Sequence, residues 1–273
     1  FFDDDLVTLY HGHAADVLAG LASSSVGCIV TSAPYFGLRD YGVAGQIGAE
    51  PTPELYVAAL VRVFHEAQRV LMASGTLWLV MGDSYSSGRR AASNLACWSS
   101  VNGRGGAHRI REAQRGRHGA ADLPPKNLIG MPWRVAFALQ DDGWILRNEV
   151  VWVKPNPMPE SVKDRFSCTH ESIFVFSKSR RYWFDLDALR IPHLMRPQRR
   201  PNGRAADVTP RLGQPRQSWS TSARDEVGVD GNPAGRNPGD VWTIPTTPFP
   251  AAHFAVFPPE IPRRAIRAGC RPG

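Results

Sequence analysis

Val26–Tyr35 has the sequence VGCIVTSAPY, in which an apolar run leads directly into small polar residues, a proline and an aromatic ring. The apolar run predicts a buried strand, and the residues from Thr31 onward predict a loop at its carboxyl end. Pro34 favours an extended conformation in the residue before it, which lets that residue's carbonyl point out of the loop. The stretch therefore predicts a strand that delivers hydrogen-bonding groups to the edge of a sheet.

The residues that follow predict a helix and a second strand. Thr52 is a suitable N-cap for a helix from Pro53 to about Ala73, where apolar residues recur on one face at spacings of three and four. Thr76–Met81, TLWLVM, is typical of a buried parallel strand. Strand, helix and strand in this order predict an α/β fold with a doubly wound, mostly parallel sheet.

In such a sheet, ligands bind at the carboxyl ends of the strands. The loop at Ser32 and the turn Gly82-Asp83-Ser84 both follow predicted strands, so both belong to that edge. Asp83 is therefore a candidate for contact with substrate or cofactor. The alternative is an ordinary turn residue, since aspartate after glycine often forms turns.

Composition narrows the class of protein. The chain has 273 residues, 42% of them hydrophobic, which fits one α/β domain with insertions or with a small appendage. Its net charge of +7 favours a polyanionic partner. The four dispersed cysteines predict no disulfide framework, and His11 and His13 lack the further ligands of a metal site. With no membrane-spanning run and an acidic start unlike a secretion signal, we expect a cytoplasmic protein.

The loop after the first strand suits an exocyclic amine on a nucleobase. That amine is a poor nucleophile because its lone pair is delocalised into the ring. The Ser32 hydroxyl and the carbonyl of Ala33 are two acceptors for its N–H groups, and Tyr35 is a ring on which the base can stack. Such a base must leave the duplex to be reached.

With these residues the chain resembles the amino-group DNA methyltransferases, whose hallmark is a Ser-Pro-Pro-Tyr or Asp-Pro-Pro-Tyr tetrapeptide at the end of a strand. The resemblance extends over most of the chain, in the order of the class in which the catalytic block precedes the cofactor block. The matching segments are Thr31–Gly42, Gly75–Tyr85, Trp144–Ser161, His170–Asp185 and Val241–Pro258.

The resemblance implies a methyltransferase-type sheet with a loop-rich target-recognition insertion, S-adenosylmethionine as cofactor and double-stranded DNA as substrate. It implies methylation of a flipped base, with serine in the tetrapeptide favouring N4 of cytosine over N6 of adenine. The implied catalytic residues are Ser32, Ala33, Pro34 and Tyr35. The implied cofactor residues are Asp83, His253, Phe254 and Phe257, and the implied DNA-binding residues are Lys154, Asn156, Arg196, Arg199, Arg200 and Trp219.

Three regions are predicted along the chain. Residues 6–185 form the catalytic region, with a mobile, arginine-rich insertion at 86–122. Residues 186–240 are the target-recognition region by resemblance, whereas composition alone predicts a disordered linker. Residues 241–273 begin the cofactor-binding region. A cognate restriction endonuclease is the protein partner that a restriction-modification enzyme implies.

Two departures from the family pattern qualify this interpretation. Ala33 stands where the family usually has proline, so one constraint on the loop is lost and reduced activity is expected. The glycine-rich block Asp-Pro-Phe-x-Gly-Ser-Gly-Thr, expected after a segment like residues 263–273, does not follow. The sequence therefore predicts a fragment or split gene product, which a complementing cofactor-binding segment completes. The rivals are a non-catalytic DNA-binding remnant and a methylase of RNA or of protein glutamine.

Overall fold

The computed structural model describes residues 2–3, 6–86, 123–192, 232, 234–249 and 256–272. The chain divides into two compact units, Phe1–Phe184 with Asp240–Gly273 and, between these segments, Asp185–Gly239. Apart from Ser86, the predicted insertion at 86–122 lies outside the described residues, as do residues 193–231 of the predicted recognition region.

The larger unit begins with two short antiparallel strands, β1 (Phe2–Asp3) and β2 (Thr8–Leu9). Its main sheet contains β3 (Val26–Ser32), β4 (Leu71–Met81), β5 (Ile145–Val153), β6 (His170–Ser177) and β7 (Val241–Thr243), in the spatial order β3-β4-β6-β5-β7. β3 is parallel to β4 and β5 to β7, while β6 is antiparallel to both of its neighbours. Four of these five strands therefore run in one direction, which confirms the predicted mostly parallel α/β sheet.

Within the described ranges, four α-helices accompany the sheet: α1 (Ala14–Ala19), α2 (Pro53–Val70), α3 (Met131–Asp141) and α4 (Glu260–Gly269). Alternate residues of β4 divide between the two faces of the sheet. Leu77, Leu79 and Met81 belong to the core that the buried faces of α2 and α3 complete. On the other face the Thr76 hydroxyl donates to the Gly269 carbonyl of α4 at 3.0 Å. Helices thus cover both faces, as in a doubly wound fold.

Helix α2 begins as predicted. The Thr52 hydroxyl accepts a hydrogen bond from the Leu55 amide at 3.3 Å, and Pro53 occupies the first turn. The helix ends at Val70 and not near Ala73, because the chain turns extended at Leu71 and enters β4 without a loop.

The topology brings five chain segments to one edge of the sheet. β3, β4, β5 and β7 end there, and β6 begins there because it runs in the opposite direction. The residues directly after Ser32, Met81 and Val153 and those at the start of β6 are therefore neighbours, although they come from distant parts of the sequence.

The described part of the smaller unit is short. A 3-10 helix covers Asp187–Leu189, and Ile191 pairs with Arg236 in an isolated antiparallel bridge. The Arg190 guanidinium bonds to Asp187 at 2.5 Å and to the Gly235 carbonyl at 2.8 Å. Gly235 has φ +125°, and a Cβ there would meet the Ile191 carbonyl oxygen at 2.4 Å, so the bridge depends on glycine at this position.

Candidate active site

The loop from Ser32 to Tyr35 is held in place by bonds from other elements. The hydroxyl of Tyr56, a fully buried residue of α2, donates to the Pro34 carbonyl at 2.7 Å. Farther along the loop, the Gly37 amide donates to the Gly48 carbonyl at 2.7 Å. These contacts fix the loop where the family's first proline is replaced by Ala33, so the lost ring constraint is offset by tertiary structure.

Tyr35 lies against the backbone at the end of β4. A Cβ placed on Gly82 would come within 2.6 Å of Cε2 of the tyrosine ring and 3.1 Å of Cδ2. Only glycine leaves room for the ring in this position, because real Cβ atoms do not approach other heavy atoms so closely. One side of the half-buried ring is therefore packed on Gly82.

The phenol of Tyr35 is bonded inside the protein. Its hydroxyl donates to Oε2 of Glu171, at the start of β6, and the Ser32 hydroxyl also bonds to it. Burial, followed by the negative charge of Glu171, raises the pKa of Tyr35 well above its usual value, while the bond to Ser32 works in the opposite direction. The phenol is therefore a neutral donor throughout the physiological pH range.

The other oxygen of Glu171, Oε1, pairs with Nζ of Lys154. Both side chains are buried, 3% and 5% exposed, and the ammonium group also lies 4.6 Å from the centre of the Trp152 ring. Trp152 of β5 is the register partner of Glu171 in β6, which places Lys154 close to the carboxylate. A buried charge requires such a partner, because an isolated one carries a large desolvation penalty.

This burial argues against the predicted DNA contact of Lys154, since its ammonium group is committed to Glu171. Asn156 was predicted to contact DNA as well, and its amide is engaged with the protein backbone. Oδ1 accepts from the Thr246 amide at 2.9 Å, and Nδ2 donates to the Thr246 carbonyl at 3.3 Å. The proline-rich loop after β5 is thereby tied to the segment after β7.

Asp83 has a structural task in this arrangement. Its Oδ1 accepts hydrogen bonds from the backbone amides of Ser84, Gly130 and Met131 at 2.8 to 3.0 Å. It therefore joins the end of β4 to the start of α3, where helix amides lack partners within the helix. Partial burial raises the pKa of Asp83, and the three amide bonds oppose this shift. These contacts favour the turn-forming alternative over cofactor contact.

The predicted cofactor residues do not form a donor site among the described residues. The Asp83 carboxylate already accepts three amide bonds, and Phe257, half-buried before α4, offers only an apolar ring. His253 and Phe254 lie outside the described residues, as do Arg196, Arg199, Arg200 and Trp219. What the described residues build is the half of the predicted site that was expected to face the base.

Sequence reasoning missed three residues that shape this half, Tyr56, Gly82 and Glu171. Tyr56 was assigned only to the apolar face of its helix, and Gly82 only to a turn. Glu171 left a signal, because a carboxylate at the head of the apolar run SIFVF has to be compensated where the strand is buried.

No group of three or more potential metal ligands occurs among the residues that the structure describes. In the same residues, no helix is both long and apolar enough to cross a membrane. A cavity of about 310 Å³ contains none of the predicted site residues and is lined by Tyr10, His11, Asp16, Val17, Gly20 and Leu21.

Sequence comparison places these observations in a family. The family of DNA methylases that covers N6 and N4 methyltransferases matches residues 26–273. The chain is 42% identical over 270 residues to the type II methyltransferase M.XycI of Xanthomonas campestris pv. cyanopsidis, covering 97% of this chain and 73% of the relative. M.Cfr9I of Citrobacter freundii is 41% identical over 97% of this chain and 73% of its own length. M.SmaI of Serratia marcescens is 39% identical over 96% of this chain and 75% of its own length.

Structure comparison shows the same fold. The chain superposes on the PvuII DNA methyltransferase, which is described as cytosine-N4-specific, with a TM-score of 0.55. The match covers 96% of this chain and 70% of that protein at 14% sequence identity.

Proposed function

The chain belongs to the DNA methylase family, and we propose that it acts on double-stranded DNA by methylating the exocyclic amine of a flipped base, at N4 of cytosine. The methyl donor of the family is S-adenosylmethionine. The observation that carries the proposal is the fixed Ser32–Tyr35 loop at the sheet edge, with one side of the Tyr35 ring packed on Gly82. The alternative target is N6 of adenine, whose amine needs the same two acceptors.

The residues of this chain act on the base. The Ser32 hydroxyl and the Ala33 carbonyl accept the two N–H groups of the amine, which draws its lone pair out of conjugation with the ring. Tyr35 stacks on the base with the side that does not face Gly82, and this contact offsets part of the cost of unstacking. Both acceptors lie in the same short loop, so the amine is oriented as the base enters.

Cytosine is favoured over adenine on two grounds. The first residue of the tetrapeptide is Ser32, and the PvuII neighbour, which supports the fold alone, is described as cytosine-N4-specific. The test is incubation of the full chain with labelled S-adenosylmethionine and duplex DNA of mixed sequence, followed by nucleoside analysis. We expect N4-methylcytosine with wild-type protein and none with Tyr35→Ala. Labelled N6-methyladenine would select the alternative target.

Recognition of a DNA site is assigned to residues 186–240, with Arg196, Arg199, Arg200 and Trp219 as contacts. Their arginine-rich composition supports this assignment, because guanidinium groups bind phosphates and guanine edges. The division of the chain at Asp185 and Gly239 supports it as well. The type II names of the relatives support membership in a restriction-modification system with a cognate endonuclease as partner.

A non-catalytic DNA-binding chain is the second candidate. It is favoured by Asp83, whose carboxylate is committed to helix α3, and by the lack of a donor site among the described residues. Calorimetry with S-adenosylmethionine separates the two candidates. We expect binding together with site-specific transfer. DNA binding without either would favour the second candidate, and recovery of transfer on adding a complementing cofactor-binding segment would restore the first.

A further inference from the structure

Four side chains at the sheet edge form a continuous polar chain: Ser32, Tyr35, Glu171 and Lys154. The number of protons that these side chains can donate determines which group is the donor in each hydrogen bond of the chain. Glu171 is paired with a buried ammonium group and is therefore a carboxylate, which only accepts hydrogen bonds. The single phenol proton of Tyr35 is consequently donated to Glu171.

The bond between Ser32 and Tyr35 must then run in the other direction. Since the phenol has no second proton, its oxygen accepts from the Ser32 hydroxyl. A hydroxyl that has donated its proton keeps only lone pairs for any further partner. Donation also makes its oxygen a better acceptor, because successive hydrogen bonds polarise one another.

We propose that Glu171 and Lys154 are positioning residues that act through Tyr35 to hold Ser32 as an obligate acceptor toward the exocyclic amine. The inference rests on the proposed function and deepens it, since neither residue touches the base. An unanchored serine can equally turn its proton toward the amine, in which case it repels the N–H group that it should accept. The buried ion pair excludes that rotamer while it also fixes the ring of Tyr35.

The structure provides a way to break each link separately. Tyr35→Phe removes the phenol and keeps the stacking ring. Glu171→Gln keeps the shape of the side chain but removes its charge, and its amide NH2 can donate to the phenol and reverse the chain. Lys154→Met removes the cation that pairs with Glu171. Glu149→Gln is the matched control, because Glu149 bonds to the Ser172 hydroxyl at 2.6 Å between the same two strands.

The kinetic arm compares kcat and KM for DNA. We expect Tyr35→Phe, Glu171→Gln and Lys154→Met each to lower kcat about tenfold with a much smaller change in KM, as for a lost transition-state hydrogen bond. In the double variant Tyr35→Phe/Glu171→Gln we expect no further loss, since the link is already absent. Glu149→Gln should leave kcat unchanged. Additive losses in the double variant would overturn the proposal.

The second arm needs no activity. Ultraviolet pH titration of each protein, with Tyr35→Phe as the blank, follows ionisation of the Tyr35 phenol. We expect it to ionise at lower pH in Glu171→Gln than in wild type, because the carboxylate charge that opposes phenolate formation is gone. An unchanged titration would overturn the network, whatever the activity. Coupled titration with no methyl transfer by wild type would leave the network standing and refute the proposed function.

Discussion

Gly82 shows how a residue without a side chain contributes to the proposed base-binding site. In Gly82→Ala the new Cβ would stand 2.6 Å from Cε2 of Tyr35, so the ring has to move away from the position proposed to face the base. We expect methyl transfer to fall by about tenfold or more and stability to fall by about 1–3 kcal/mol, as for an overpacked site.

Transfer assays and urea unfolding check this result. Gly27→Ala is the matched control, because its Cβ would meet only Sγ of Cys270, at an ordinary distance of 3.5 Å. If Gly82→Ala retains wild-type activity, the packed position of Tyr35 is not the one that the reaction uses.

Tyr56 is the second residue whose role is local and specific. Tyr56→Phe removes the hydroxyl that donates to the Pro34 carbonyl and leaves the buried ring in the core. The loss of one buried hydrogen bond is expected to cost about 1–1.5 kcal/mol of unfolding free energy and to loosen the loop. Urea unfolding measures the loss of unfolding free energy, and methyl-transfer assays measure how the looser loop affects activity.

Tyr182→Phe is the control for that measurement, because the Tyr182 hydroxyl accepts from Arg147 at an exposed position. Its removal should change the unfolding free energy by less than about 0.5 kcal/mol. If Tyr56→Phe and Tyr182→Phe lose the same amount of unfolding free energy, the bond to Pro34 does not hold the loop.

At the scale of elements, periodicity and a capping residue predicted the first strand, helix and strand of the main sheet. The sequence predicted a helix from Pro53 to about Ala73, and the structure has α2 at Pro53–Val70. It could not predict that β6 runs antiparallel between β4 and β5, since a short apolar run has no direction of its own. That reversal brings Glu171 to Lys154, so a loop predicted to contact DNA holds a buried ion pair instead.

The junction of β4 and α3 allows the two interpretations of Asp83 to be separated. Asp83→Asn keeps a carbonyl oxygen that accepts from the Gly130 and Met131 amides, whereas Asp83→Ala leaves both amides without this partner. We expect Asp83→Ala to lose about 1–2 kcal/mol of unfolding free energy, as for a lost N-cap, and Asp83→Asn to keep most of it at pH 7.

The sign of the pH dependence follows from the raised pKa of Asp83 in the folded protein. Because the pKa of Asp83 is higher in the folded than in the unfolded protein, folding favours the protonated carboxyl. The contribution of this group to stability therefore declines as pH rises from the unfolded-state pKa through the folded-state pKa. Relative to Asp83→Asn, wild type should therefore become less stable as pH rises above the ordinary pKa of 3.8. Loss of methyl transfer in a stable Asp83→Asn protein would instead assign the carboxylate to the reaction.

For the whole molecule, the division into two units leads to a deletion experiment. The two segments of the larger unit that flank Asp185–Gly239 both contact Trp78. The centre of the Trp78 ring lies 6.3 Å from that of Phe184 and 5.9 Å from that of Trp242, and the rings are stacked in both pairs. A short Gly-Ser linker can therefore replace Asp185–Gly239 without forcing the sheet apart. We expect this variant to fold with a cooperative thermal transition, because it retains the core of α2, α3 and β4.

The same variant tests where DNA is recognised. If residues 186–240 provide the phosphate and base contacts, replacement of Asp185–Gly239 removes these contacts and their arginines from a chain of net charge +7. The affinity for duplex DNA should fall at least about tenfold, and its dependence on salt should become shallower, since fewer counterions are released. Binding across a salt series compares the variant with wild type, and circular dichroism confirms that it is folded. An unchanged salt dependence would move DNA recognition to the larger unit, because the variant lacks all the arginines of Asp185–Gly239.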